Sequence, residues 1–272
     1  LKASLSVDGQ IHRFMVEGDH AGQKSGWYTL FDRCDLLVGA YGNWRTGQTE
    51  TWCSKDLNAF TDHERKTYVE SIAKAKQEYA EEKAKMQEDA KLRAQRLIAS
   101  ALNATSDNAY IKHKGIQPFD SKVLGKTDTL VVPICDGDDE QGQTCIVNIQ
   151  FISPDSTKKF MTGGKKKGCF YSIGNQGSSV IVICEGFATA ASIAEATGYK
   201  VIVSLDAGNL LPVAQRIAKS KKPEQTIIIA ADNDAWGEIN IGVQKATETA
   251  KTVHACLAIP DFSNCDTSQK HT

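Results

Sequence analysis

The stretch Val180-Ile-Val-Ile-Cys-Glu-Gly-Phe-Ala-Thr-Ala-Ala-Ser-Ile-Ala-Glu-Ala-Thr197 decides the fold. Its opening run, through Cys184, is apolar and mostly β-branched, as a strand covered on both faces requires. Glu185-Gly186 interrupts the run, and the alanine-rich sequence that follows predicts a helix over Ala188–Thr197. Working outward, the alternation repeats. Apolar runs at Lys200–Ser204, Thr226–Ala231 and Val253–Ile259 are separated by helical stretches around Asn209–Ser220 and Glu238–Lys251. This βαβαβαβ order predicts an α/β fold: a parallel sheet with flanking helices and right-handed crossovers.

In open parallel sheets, functional groups collect just past the carboxyl ends of the strands. Three acids fall there: Glu185 after the first strand, and Asp232 and Asp234 after the third, in Ala-Ala-Asp-Asn-Asp. Clustered carboxylates repel one another unless a hard cation such as Mg²⁺ neutralises them. A cation with few protein ligands, open to phosphate oxygens, serves phosphoryl or nucleotidyl transfer. Gly186 leaves room for a bulky ligand to approach the backbone. Each signal is weak alone, since an acid at a strand end is often a helix N-cap. The expectation rests on their ordered occurrence on one frame.

Glu185-Gly186 followed by Asp232-Asn233-Asp234 resembles the Toprim domain shared by primases, type II and IA topoisomerases and some nucleases. The run Glu185-Gly-Phe-Ala-Thr-Ala190 is more specific. It is similar to the Glu-Gly-Tyr-Ala-Thr-Ala motif of satellite-phage and conjugative-plasmid primases, with Phe187 in place of Tyr. Ala109-Tyr-Ile-Lys-His-Lys-Gly-Ile116, the basic run Lys158–Gly168, Asp206-Ala-Gly-Asn-Leu210, and the Gly26-Trp-Tyr and Gly39–Trp52 regions resemble the same proteins.

The resemblance implies a DNA primase that joins ribonucleoside triphosphates on a single-stranded DNA template during phage or plasmid replication, with a replicative helicase as partner, fused or separate. It gives catalytic and Mg²⁺- or Mn²⁺-holding roles to Glu185, Asp232 and Asp234. Asp206 and Asn209 would line the site, and Lys158, Lys159, Lys165, Lys166 and Lys167 would face nucleotide or DNA phosphates. The chain departs from the family in lacking an Asp-x-Asn-Asp motif soon after the fourth strand. It ends at Thr272 without one and starts at Leu1 rather than Met, which together read as an excised, C-terminally truncated fragment. A G-x-x-x-x-G-K-[ST] loop and the zinc module of bacterial replicative primases are also missing from the sequence.

Three segments precede this region, giving expected domains at 1–60, 61–105, 106–177 and 178–272. Residues 1–60 read as a small antiparallel β unit, with short runs at Ile11–Glu17, Gly26–Arg33, Leu36–Asn43 and Thr49–Ser54. Trp27, Trp44 and Trp52, interleaved with Arg45, either form a platform for single-stranded nucleic acid or supply the aromatics that a small sheet needs for any core. From Asp62 to Asn103 one long helix without Pro or Gly is expected, with Tyr68, Ile72, Ala75 and Tyr79 opening a narrow apolar stripe; it reads as a linker. Residues 106–177 read as strand-rich, with a hairpin of Leu130–Cys135 and Cys145–Ile152. The acids of its turn, Asp136, Asp138, Asp139 and Glu140, are open to two readings, a solvated turn or a cation site.

The net charge of −1 gives no global signature of a nucleic-acid binder, so such contact must come from local patches. The eight cysteines include no C-x-x-C pair, which argues against a zinc ribbon and fits a reduced, cytoplasmic protein. No apolar run is long enough to span a bilayer. Besides the primase, two other functions fit parts of the pattern. A Toprim-type nuclease would use the same carboxylates, and a non-catalytic single-stranded nucleic-acid-binding module would need only the aromatics and lysines.

Overall fold

The computed structural model describes residues 5–19, 21–33, 36–138, 144–233 and 240–262. The chain folds as two compact units, Leu1–Lys85 and Met86–Thr272.

In the first unit, β1 (His12–Phe14), β2 (Gly26–Arg33), β3 (Leu36–Asn43) and β4 (Thr49–Cys53) form an antiparallel meander in chain order. Strand alternation sends Trp27, Phe31, Val38 and Ala40 to one face, where all are buried. That face is covered by the first part of α1 (Asp62–Ser100), through Ile72, Ala75 and Tyr79. A reciprocal capping box fixes where α1 starts: Glu64 accepts from the Thr61 backbone N–H at 2.7 Å, while Thr61 Oγ1 accepts from the Glu64 N–H at 3.3 Å. Lys55 also donates to Glu64, and these hydrogen bonds hold its carboxyl down at about 2.

In the second unit, Ala94, from the last part of α1, packs on Val131 and Ile149. The chain continues as β5 (Leu102–Asn103), α2 (Ala109–Lys114), β6 (Lys122–Leu124), β7 (Thr129–Asp138), β8 (Thr144–Ile152) and β9 (Lys158–Phe160). The five strands form an antiparallel sheet in sequence order, with the expected β7–β8 pairing at its centre. Then follow β10 (Tyr171–Gly174), β11 (Val180–Cys184), α3 (Phe187–Thr197), β12 (Lys200–Val203), α4 (Ala207–Ser220), β13 (Thr226–Ala230), α5 (Ile241–Val253) and β14 (Cys256–Ala258).

These last strands form a sheet of order β10-β12-β11-β13-β14, parallel except for β10. Ile181, Ile183, Ile202, Ile227 and Ile229 pack on α4 and α5. Val182, Cys184, Val201 and Val203, on the opposite face, share a core with α3 and with Leu130, Val132 and Ile152 of the antiparallel sheet. The expected α/β architecture is therefore present, with helices on both faces of a mostly parallel sheet. One strand was not visible in the βαβ pattern. Tyr171–Gly174, grouped by sequence with the preceding segment, pairs antiparallel with β12. It is four residues long and has no crossover helix of its own, so periodicity could not tell it from its strand-rich neighbours. Among the described residues, no helix is long and apolar enough to cross a membrane.

Candidate active site

Strands β12, β11 and β13 lie side by side and run parallel, so their carboxyl ends share one rim. The Ser204 N–H donates to the Cys184 carbonyl at 2.8 Å and the Leu205 N–H to the Glu185 carbonyl at 2.9 Å, which aligns the two strand ends. Glu185, Asp206 and Asp232 are the acids at these ends, and each is half-buried. Thr189, in the first turn of α3, donates through Oγ1 to Asp232 Oδ1 at 3.3 Å. The neighbouring Asn233 donates to the Pro260 carbonyl at 2.7 Å and accepts from Asn240, the N-cap of α5. Burial, then the charges of Asp232 and Glu185, push the Cys184 thiol upward. Both carboxylates therefore act on one point at the end of β11. Asp234 lies outside the described residues.

Gly186 joins β11 to α3 as its N-cap, without a side-chain capping bond. Its φ of −101° is open to any residue. A Cβ added there would meet only Thr189 Oγ1 at 3.6 Å and Lys158 Nζ at 3.8 Å, both ordinary contacts. Neither backbone geometry nor internal packing demands glycine, so the residue leaves a small cradle beside Glu185. Two carboxylates of neighbouring strands, with a cradle between hard oxygen donors and a lysine, fit a hard divalent cation and a phosphate. Among the described residues no three acids, histidines or cysteines are grouped closely enough to hold an ion by themselves. Glu185 and Asp232 are the described part of the expected set.

The lysine run does not form one surface. Lys165 pairs with Asp136, and Lys166 pairs with Asp206 at 2.5 Å while lying over the Phe160 ring. Asp136 also pairs with Arg216 of α4. Burial alone would raise the Asp136 pKa, but the hydrogen bonds from Lys165 and Arg216 outweigh it and leave the group below its ordinary value. A cation site at this turn is thus ruled out for Asp136, whose carboxylate is already occupied by two basic side chains. Asp138, Asp139 and Glu140 have side chains outside the described residues. In the same loop Gly163 has φ +83°, and a Cβ on Gly164 would lie 2.2 Å from the Asn148 side chain, so both glycines are required where they stand.

Asn209, expected to line the rim, is 3% exposed. Its Oδ1 accepts from the Gly168 N–H, and its Nδ2 donates to the carbonyls of Cys169 and Ser204. A side chain so used fastens the end of the basic loop to the end of β12. Asp206 caps α4 through the Asn209 N–H and pairs with Lys166, so it borders the rim with its charge already balanced.

Residues 180–263 match the family model of the Toprim domain. The chain carries a Toprim domain. Its relatives extend the likeness well beyond that domain. The chain is 32% identical over 267 residues to a DNA primase TraC of Escherichia coli, covering 94% of this chain and 24% of that protein. It is 31% identical over 266 residues to a second Escherichia coli DNA primase TraC, covering 94% of this chain and 18% of that one. The chain thus spans about a quarter or less of the length of these curated relatives. It is also similar to the crystal structure of the Aquifex aeolicus primase zinc-binding and RNA polymerase domains, at 14% identity over 95% of this chain and 74% of that one, with a TM-score of 0.42.

Around the Toprim domain, Thr189, Arg216 and Asn148 are the residues that sequence reading missed. Thr189 stands four positions after Glu185, inside the quoted motif, and its spacing from Glu185 was the available signal. Arg216 and Asn148 act through partners distant in sequence and gave no local signal. In the first unit the expected aromatic set divides. Trp27 is 1% exposed and belongs to the core, and Trp44, partly buried against it, stacks on Tyr79 at 4.5 Å beneath Arg13. Arg45 is held by the carbonyls of Glu17 and Gly18 and lies near Asp19. Of the three tryptophans only Trp52 is exposed, at 47%, on the opposite sheet face. There it lines an apolar cavity of about 250 Å³ together with Phe14, Tyr28 and Tyr41.

Proposed function

We propose that this chain is the catalytic part of a primase, an RNA-primer-synthesising nucleotidyltransferase acting on single-stranded DNA in plasmid or phage replication. The observation that carries this reading is the extent of the likeness to the TraC primases. It takes in 94% of the chain and so includes the first unit and the antiparallel sheet as well as the Toprim domain. A Toprim nuclease need share only the last region.

In the proposed reaction a 3′-hydroxyl attacks the α-phosphate of a ribonucleoside triphosphate, forming the new ester bond and releasing pyrophosphate. Glu185 and Asp232, with Asp234 expected as the third acid, would hold Mg²⁺ or Mn²⁺. When bound, the cation supplies charge neutralisation to phosphate oxygens and carboxylates alike. Thr189 orients Asp232 through its hydroxyl, and the Gly186 cradle gives phosphate access to the backbone beside Glu185. Asn209 and the paired Lys166 and Asp206 hold the basic loop against this rim. Single-strand contact in the first unit belongs to the outer sheet face around Trp52 and Tyr41, where exposed rings can stack on bases. A replicative helicase, fused or separate, is the partner that delivers single-stranded template to such an enzyme.

The test is to incubate the protein with circular single-stranded DNA, four labelled ribonucleotides and Mg²⁺ or Mn²⁺. Short RNA products dependent on template and metal are expected. Cleavage of the circle without RNA synthesis would replace the primase by the nuclease.

A further inference from the structure

At the end of β12 a leucine occupies a backbone conformation that suits glycine. Leu205 has φ +79°, in the left-handed region that a Cβ disfavours. Among the described residues five other non-glycine positions have positive φ, and Leu205 alone of the six stands at the acid rim. Its surroundings hold it there. The side chain is 6% exposed, in the core shared by the two sheets of the second unit. On one side the Ser204 N–H donates to the Cys184 carbonyl at 2.8 Å, and the Ser204 carbonyl accepts from Asn209 Nδ2 at 2.8 Å. On the other side Asp206 caps α4 by accepting from the Asn209 N–H at 2.9 Å. Backbone strain persists only where neighbours over-determine it in this way, and it collects at functional sites.

The turn has a direct consequence for Glu185. In an extended strand successive N–H groups point to opposite neighbours. Once Ser204 has donated to β11, the Leu205 N–H would point toward β10, the other neighbour of β12. Instead it donates to the Glu185 carbonyl at 2.9 Å, so two successive N–H groups meet two successive carbonyls of β11. The Glu185–Gly186 peptide is thereby turned out of strand alternation. Beyond it the Gly186 carbonyl accepts from the Ala190 N–H at 3.0 Å, which ties the same turn to α3. The backbone that carries the acid is gripped from both sides.

We propose that Leu205 is a positioning residue for the transfer reaction: its left-handed backbone turns its N–H onto the Glu185 carbonyl and so sets the direction of the Glu185 carboxylate at the rim. This rests on the nucleotidyl-transfer reading of that rim. The two parts of the residue have separate tasks. The backbone angle aims the N–H, and the buried side chain keeps the angle from relaxing. Glycine would adopt the angle without strain but would not be anchored in the core.

The test is steady-state primer synthesis on circular single-stranded DNA by the full chain, for the wild type, Leu205→Met, Leu205→Ala and Leu205→Gly, with melting temperatures taken alongside. Methionine keeps the burial, so Leu205→Met should stay within about twofold of the wild type. Leu205→Ala keeps the cost of a positive φ and loses the anchor, so the turn relaxes. Its kcat should fall about tenfold or more, with KM for ATP changed less than about threefold. Leu205→Gly should recover most of that kcat and melt no lower than Leu205→Ala, although it buries less, because glycine takes φ +79° freely. A residue that only packs would instead give the descending order Met, Ala, Gly in both measurements. Wild-type kcat in Leu205→Ala, or a lower kcat in Leu205→Gly than in Leu205→Ala, overturns the inference while leaving the transfer reading in place. Amide hydrogen exchange of the wild type checks the same contact without a substitution. The Leu205 N–H should be protected as well as the Ser204 N–H, and exchange at the rate of an open loop overturns the inference too. A wild type that makes no RNA removes the transfer reading and this role together.

Discussion

Arg216 and Asp136 stand 80 positions apart in sequence and meet through Nη1 and Oδ1 at 2.5 Å, with a second guanidinium hydrogen bond to the Asp136 carbonyl. With Lys165 on the other carboxylate oxygen, this contact ties the β7 end of the antiparallel sheet to α4 of the Toprim domain. Asp136→Asn should therefore destabilise the second unit by about 1–2 kcal/mol near neutral pH, the range for charged hydrogen bonds discounted for partial exposure. Chemical denaturation measures it.

The pH dependence has a definite sign. The Asp136 pKa is lowered from 3.8 in the folded protein. Its contribution is therefore fully present above the unfolded value and is lost as pH falls through the folded one. Wild type and Asp136→Asn should differ most at neutral pH and converge well below pH 4, in denaturation midpoints taken across that window. A gap that widens on acidification would contradict the ion-pair account.

Gly186→Ala separates fold from function. The added methyl meets only ordinary contacts, and alanine accepts φ −101°. Thermal unfolding should shift little, within the cost of about 0.5–1 kcal/mol expected for alanine at an N-cap. Nucleotide affinity and transfer rate should fall by about tenfold as the cradle fills. A large drop in melting temperature with unaltered affinity would make the glycine structural.

The tryptophans of the first unit give opposite expectations. Trp27→Ala should cost about 3–5 kcal/mol, because the ring is wholly buried under α1. Trp52→Ala should leave stability within about 1 kcal/mol and weaken binding of oligodeoxynucleotide by roughly tenfold if one base stacks there. Fluorescence titration and denaturation of both variants settle the assignment.

The parallel sheet was legible because each of its strands and helices is a local pattern. Val180–Cys184 and the alanine-rich helix after Gly186 state their periods within eighteen residues. The strand-end positions of Glu185 and Asp232 were legible because each follows directly on an apolar run of the parallel sheet. What the sequence hid is pairwise. Nothing local marks Lys166 as the partner of Asp206, or Asn209 as the fastener of Gly168, since those contacts join positions about 40 apart. Trp27 and Trp52 look alike in sequence. They differ only by strand parity relative to the helix-covered face, which is fixed once β2, β3 and β4 are paired.

The central claim is that Glu185 and Asp232 serve metal-dependent nucleotidyl transfer. Primer synthesis on circular single-stranded DNA by the wild type, Glu185→Gln and Asp232→Asn tests it most directly. Both substitutions keep side-chain size and remove charge. The account predicts a loss on the order of 10²-fold or more in rate, with single-strand binding and melting temperature little changed. RNA primers made at the wild-type rate with both acids neutralised would contradict it.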